Sequence, residues 1–69
     1  MLEFEYFDGY DFTTLNILET KANQVTITST YIGKIHVESY ELFQDENGLY
    51  FEYGPLFSKT YINDFEEVA

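Results

Sequence analysis

Apolar and polar residues alternate with a period of two along most of this chain, the pattern of strands that have one covered face. Leu2, Phe4 and Tyr6 share one side of the first segment, and Glu3 and Glu5 take the other. Asp8-Gly9-Tyr10-Asp11 interrupts the alternation as a turn, where Gly9 is free to adopt positive φ. A second strand over 12–20 sets Thr13, Leu15 and Ile17 on one face, and Lys21-Ala22-Asn23-Gln24 follows as a hairpin loop. Val25 to Tyr31 is dense in β-branched side chains, which are stiff at χ1 and suit a pleated surface. Val25, Ile27, Ser29 and Tyr31 form its apolar face, and Thr26, Thr28 and Thr30 form a threonine row behind it.

Gly33 marks either a tight turn or a bulge in one long bent strand. Beyond it, Ile35 and Val37 resume the alternation as inward positions, which sends His36 and Glu38 outward. The phase then slips, because Leu42 is out of step with Val37. A bulge explains the slip, with a short helical turn over Glu38–Phe43 as the alternative. Gln44-Asp45-Glu46-Asn47-Gly48 contains Asn-Gly between alternating runs, the strongest short-range hairpin signal. Leu49, Phe51 and Tyr53 then share a face, with Tyr50 and Glu52 on the reverse. Gly54 to Ser58 is a loop, since Pro55 cannot donate to a ladder. A last strand from Lys59 to Phe65 leads into an acidic tail over 66–69. The expected fold is all-β: one small domain, an antiparallel meander of about five to six strands that can curl into a half-open barrel. The alternative is a smaller sheet carrying one short helix.

Composition changes this picture in one respect. Thirteen acidic residues face three lysines and no arginine, a net charge of −10 in 69 residues. Such a balance is normally found in disordered chains, yet 45% of the residues are apolar and 20% aromatic, including seven Phe and seven Tyr. The chain therefore reads as a packed domain with an acidic coat. Absence of cysteine excludes disulfides, thiolate metal sites and cysteine nucleophiles. No basic leader opens the chain and no apolar run reaches the ~18 residues of a membrane span, so a cytoplasmic protein is expected. Negative charge also opposes direct binding to nucleic acid or to an anionic membrane.

Catalytic and metal motifs fail one by one. Glu3/Glu5 and Glu66/Glu67 are pairs in sequence, and paired carboxylates can serve glycoside hydrolysis, but so small a domain has little room for a cleft, and a solvated outer face explains them. Counting back from Gly48 as the invariant glycine of a calcium loop puts Phe43 at the first ligand position and Gly54 at the glutamate position, so that motif is absent. His36, the single histidine, has no serine or cysteine in a nucleophile motif around it. Four glycines scattered at turns make no phosphate cradle. No enzyme, cofactor or metal is expected.

What remains is the charge and the rings. The acids are spread along the chain and interleave with core positions, so folding must array them in space. Neighbouring strands are ~4.8 Å apart and same-face residues ~6.7 Å apart, spacings comparable to those of neighbouring phosphates. Glu3, Glu5, Glu38, Glu52, Asp64 and Glu66, with Tyr50, are the outward residues expected to meet a partner, and some of Tyr10, Tyr40, Tyr50, Phe57 and Tyr61 are expected to be exposed or half-exposed. In charge and size the chain is similar to phage-encoded DNA mimics: anti-restriction proteins, glycosylase inhibitors and small anti-CRISPR proteins. That resemblance rests on composition and implies a non-enzymatic inhibitor occupying the basic nucleic-acid-binding surface of a host or defence protein. Two other readings compete: an assembly module that self-associates through exposed aromatics and sheet edges, and a carbohydrate-binding domain that stacks rings on sugars.

Overall fold

The structure, a computed structural model, describes residues 1–68. It is antiparallel β throughout: β1 (Leu2–Phe7), β2 (Phe12–Lys21), β3 (Gln24–Tyr31), β4 (Lys34–Glu41), β5 (Phe43–Asp45), β6 (Gly48–Tyr53), β7 (Ser58–Tyr61) and β8 (Glu66–Glu67), with one 3-10 turn at Ile62–Asp64. The strands form a five-stranded sheet in the order β4-β3-β2-β1-β8 and a three-stranded sheet in the order β5-β6-β7. The expected all-β class holds, but the sheets do not close into a barrel. The expected last strand over 59–65 is instead β7, the 3-10 turn and Phe65. The acidic tail supplies β8, which pairs with β1; Ala69 lies outside the described residues.

The turns set the register. Ile32 and Gly33 both take positive φ, 49° and 72°, as a two-residue turn matched to strand twist requires. Gly33 is thus a tight turn rather than a bulge, and Tyr31 faces Lys34. That register overturns one expectation. Ser29 faces His36, Ile27 faces Glu38 and Val25 faces Tyr40, so these β4 residues join the covered face. Ile35 and Val37 fall behind the threonine row, 66% and 65% exposed. A one-residue slip moves every side chain to the other face, and here a turn one residue shorter than the hydrophobic phase implies decides the outcome.

The irregularity near Leu42 is where the chain leaves one sheet for the other. β4 ends at Glu41, the Leu42 amide donates to the Asn23 carbonyl at 2.7 Å, and β5 begins at Phe43; no helix forms. The bulge lies elsewhere, between Ile17 and Glu19, and turns Leu18 out to solvent. At the β5–β6 hairpin Asp45 faces Gly48, so Glu46-Asn47 rather than Asn47-Gly48 makes the turn. Asp45 Oδ1 accepts from the Asn47 amide at 2.8 Å and holds that conformation.

The small sheet covers the inner face of the large one. Leu15, Val25 and Ile27 from below meet Phe51, Phe65 and Leu42 from above, all buried. Phe51 stacks on Tyr40 with ring centroids 5.4 Å apart, and Tyr53 meets Tyr6 edge-on at 4.9 Å. Full burial of a ring such as Phe51 contributes about 2–3 kcal/mol. Gly54, at φ 82°, lets the backbone pass directly over Tyr6, whose hydroxyl any Cβ there would strike.

Candidate functional site

Alternation along β1 places Glu3 and Glu5 on the outer face, ~6.7 Å apart. The chain returns to that strand from the small sheet through the 3-10 turn, closed by the Phe65 amide donating to the Ile62 carbonyl at 3.1 Å. Phe65 is buried, its ring 5.4 Å from Phe4 and 6.2 Å from Phe51. With Phe65 turned in, Glu66 must turn out, and it lands directly opposite Glu3. The β8 segment is tied down by the Val68 amide donating to the Met1 carbonyl at 2.9 Å and by the amino terminus pairing with the Glu67 carboxylate.

Glu3, Glu5, Asp64 and Glu66 therefore line one depression of ≈ 300 Å³, together with Phe4 and Val68. Two polar neighbours fix its carboxylates without neutralising them: Asn16 Nδ2 donates to Glu3 Oε2 at 3.2 Å, and Thr14 Oγ1 to Glu5 Oε1 at 2.8 Å. Among the described residues there are two ion pairs, the amino terminus with Glu67 and Lys59 with Asp45. Neither touches these four acids. Like charges directly opposite across a ladder cost roughly 0.2–1 kcal/mol, so the arrangement is held against its own repulsion.

The other three expected partner residues lie elsewhere. Glu38, expected outward, is on the inner face and half-buried. It accepts from Ser29 Oγ at 3.1 Å and from the Tyr40 hydroxyl. Burial, and then that bond to Glu38, push the Tyr40 hydroxyl far above its ordinary value. Together with Asp8, Thr13, Ser29, Tyr31, His36 and Tyr53, Glu38 lines a second, shallow depression of ≈ 390 Å³. Ser29 and His36 face each other there, but the serine donates to Glu38 rather than to the imidazole, so no nucleophile–base pair forms. Sequence alternation missed this gathering; the length of the Ile32-Gly33 turn was the signal that could have shown it.

Glu52 and Tyr50 are on the outer face of the small sheet. Phe43, Tyr50 and Tyr61 form a cross-strand row there, with centroids 5.7 and 5.4 Å apart. Lys59 Nζ sits 4.7 Å from the Tyr50 centroid and 3.1 Å from Asp45 Oδ2, which also accepts from the Tyr61 hydroxyl at 2.7 Å. That Tyr61 bond is the main reason the Asp45 carboxyl stays below its usual range. The row is thus capped by the chain's own cation, and a sugar stacking on Tyr50 would have to displace Lys59. Glu52 faces Lys59 across the ladder, but the ammonium turns to Asp45.

Among the described residues no group of three or more acidic or histidine side chains could hold a metal ion, so the carboxylates are arrayed rather than converged. No helix among them is long and apolar enough to cross a membrane. No family model matches the chain, and no curated protein or solved structure does.

Proposed function

We propose that this is a non-enzymatic acidic binding protein, a phage-type inhibitor that presents nucleic-acid-like charge to the basic surface of a DNA- or RNA-binding host or defence protein in the host cytoplasm. The observation that supports this reading most is the depression lined by Glu3, Glu5, Asp64 and Glu66. Four uncompensated carboxylates are brought together from two strands and a turn, at a cost in repulsion, and polar neighbours hold two of them in place. A coat serving solubility alone would be favoured by spacing charges apart. Here the fold places four around one depression. Electrostatic steering would speed association with a cationic groove and make it salt-sensitive. Glu52 and Glu38, on other surfaces, are outside this contact.

The test is affinity capture from host extract at low and moderate salt, with duplex DNA as competitor. The expected result is capture of nucleic-acid-binding proteins, displaced by salt and by DNA, and lost in the Glu3→Gln/Glu66→Gln double variant but kept in Glu46→Gln. Capture of no such protein at any salt concentration sinks the reading. So does undiminished capture by the double variant.

A further inference from the structure

The opposite edge of the five-stranded sheet is free of that charge cluster and open. β4 has β3 on one side and, among the described residues, no strand on the other. Tyr31 and Lys34 flank a two-residue turn and so form a hydrogen-bonded pair. By alternation, Lys34, His36 and Glu38 direct their backbone groups at β3, while Ile35 and Val37 direct theirs to the open edge. The side chains of Ile35 and Val37 also stand exposed on the outer face, beside Ile32 in the turn, which is 78% exposed. Native sheets blunt such an edge with a very short strand, proline, several charges or a covering segment. Over residues 34–38 such devices are two charges of opposite sign, Lys34 and the inner-face Glu38.

We propose that β4 is a self-association edge, pairing antiparallel with β4 of a second copy about a two-fold axis at His36. A two-fold perpendicular to the sheet joins like face to like face. On the outer face it sets Ile35 opposite the partner's Val37, twice, and these pairs exchange the four free edge hydrogen bonds. On the inner face it sets Lys34 opposite the partner's Glu38, twice, matching opposite charges. Moving the register toward Glu41 would drive the partner against Tyr40, which Phe51 and Tyr53 already cover. A net charge of −10 does not forbid this pairing. With five strands per copy, the two β8 strands are nine spacings apart, about 43 Å, several times the ~8 Å screening length at physiological salt. The inference stands apart from the identity of any partner of the acidic edge, and it adds that the assembled protein would carry two such edges at opposite ends.

The chain has no cysteine, so a single introduced thiol reads the register directly. Under mild oxidation His36→Cys should form a disulfide-linked dimer much faster than Glu46→Cys, because residue 36 meets its own copy in a close, non-hydrogen-bonded pair. Sedimentation of the native chain should show a concentration-dependent monomer–dimer equilibrium. Val37→Pro, which deletes only an edge N–H, and Ile35→Lys, which charges the outer face, should each be monomeric with an unchanged circular dichroism spectrum. Should Val37→Pro fail to fold, Ile35→Lys carries the same test. A native chain that stays monomeric at every concentration overturns the proposal, as does equal cross-linking at 36 and 46, or a dimer that survives in a folded edge variant.

Discussion

The two edges of the five-stranded sheet end in opposite ways. At one, β8 is two residues long and carries Glu66 and Glu67, and the uncovered remainder of β1 is guarded by Glu5 and Asp64. At the other, β4 runs for eight residues and turns Ile35 and Val37 to solvent. The first edge is protected against strand addition by charge and brevity; the second is a template for it. On the two proposals above, one small sheet would offer two kinds of recognition, electrostatic at the β1–β8 side and backbone pairing at β4. Both depend on one support, the small sheet packed across the inner face between them.

Removing that support should erase the comparison altogether. Phe51 is fully buried between the sheets, and Phe51→Ala should cost about 3–5 kcal/mol. A domain of this size has a total stability of only about 3–10 kcal/mol, so urea denaturation should find the variant largely or wholly unfolded. If it kept most of its stability, the two sheets would not share the core described above.

Proline separates the edges from the interior more finely. At Val37 the amide points to open solvent, so Val37→Pro should leave the monomer fold nearly as stable as the native chain. One residue earlier, His36→Pro deletes an amide that donates to β3 and should cost about 2–3 kcal/mol. Thermal unfolding of the pair measures the difference. Equal losses would mean that β4 is not the edge strand in solution.

How much of this could be read from the residues follows the same division. The faces of β1 and β3 were legible, because Leu2, Phe4 and Tyr6, and Val25, Ile27 and Ser29, alternate without interruption between well-marked turns. The acidic edge was half legible: Glu3 and Glu5 follow from alternation, but nothing local says that residues 66 and 67 return to pair beside them. That contact is 63 positions long, between Glu3 and Glu66, and depends on Phe65 finding a core built from other strands. The face of β4 is not legible from hydrophobicity, because turn length overrides it. Ile35 and Val37 look like core residues, yet a two-residue turn at Ile32-Gly33 fixes them outside. The polar side chains inside are tolerated because Ser29 and Tyr40 satisfy Glu38. Where pattern and turn geometry disagree, the mismatch falls on the β4 surface proposed above for self-association, the kind of place where local consistency is given up when a surface serves function.

Smaller effects probe the acidic edge. Glu66→Gln removes one of two like charges facing each other and should raise stability by roughly 0.2–1 kcal/mol, while weakening capture of a basic partner. Added salt should stabilise the native chain in the same direction by screening the carboxylates, and should stabilise Glu66→Gln less. Stability and binding moving in opposite senses would mark these charges as retained for recognition. A variant that lost stability, with no change in binding, would assign Glu66 to the architecture instead.

The last distinction is silent at neutral pH and appears in alkali. Tyr40 is on the inner face of β4, and burial together with its bond to Glu38 raises its hydroxyl above the ordinary value of 10.0. Tyr53, which packs against it, is raised in the same direction, mainly by burial. Each phenol is held neutral in the folded state, so each favours folding fully below the ordinary tyrosine value. That contribution is lost as pH rises through the higher, folded-state value. Unfolding temperature should therefore fall on the alkaline side of 10, and Tyr40→Phe should flatten the fall. Amide exchange should locate where loosening begins. Because Tyr40 and Glu38 are both on β4, its amides should lose protection before those pairing β1 with β2. Simultaneous loss along both ladders would show that the sheet responds as one unit, and that the difference between its edges is confined to the side chains they display.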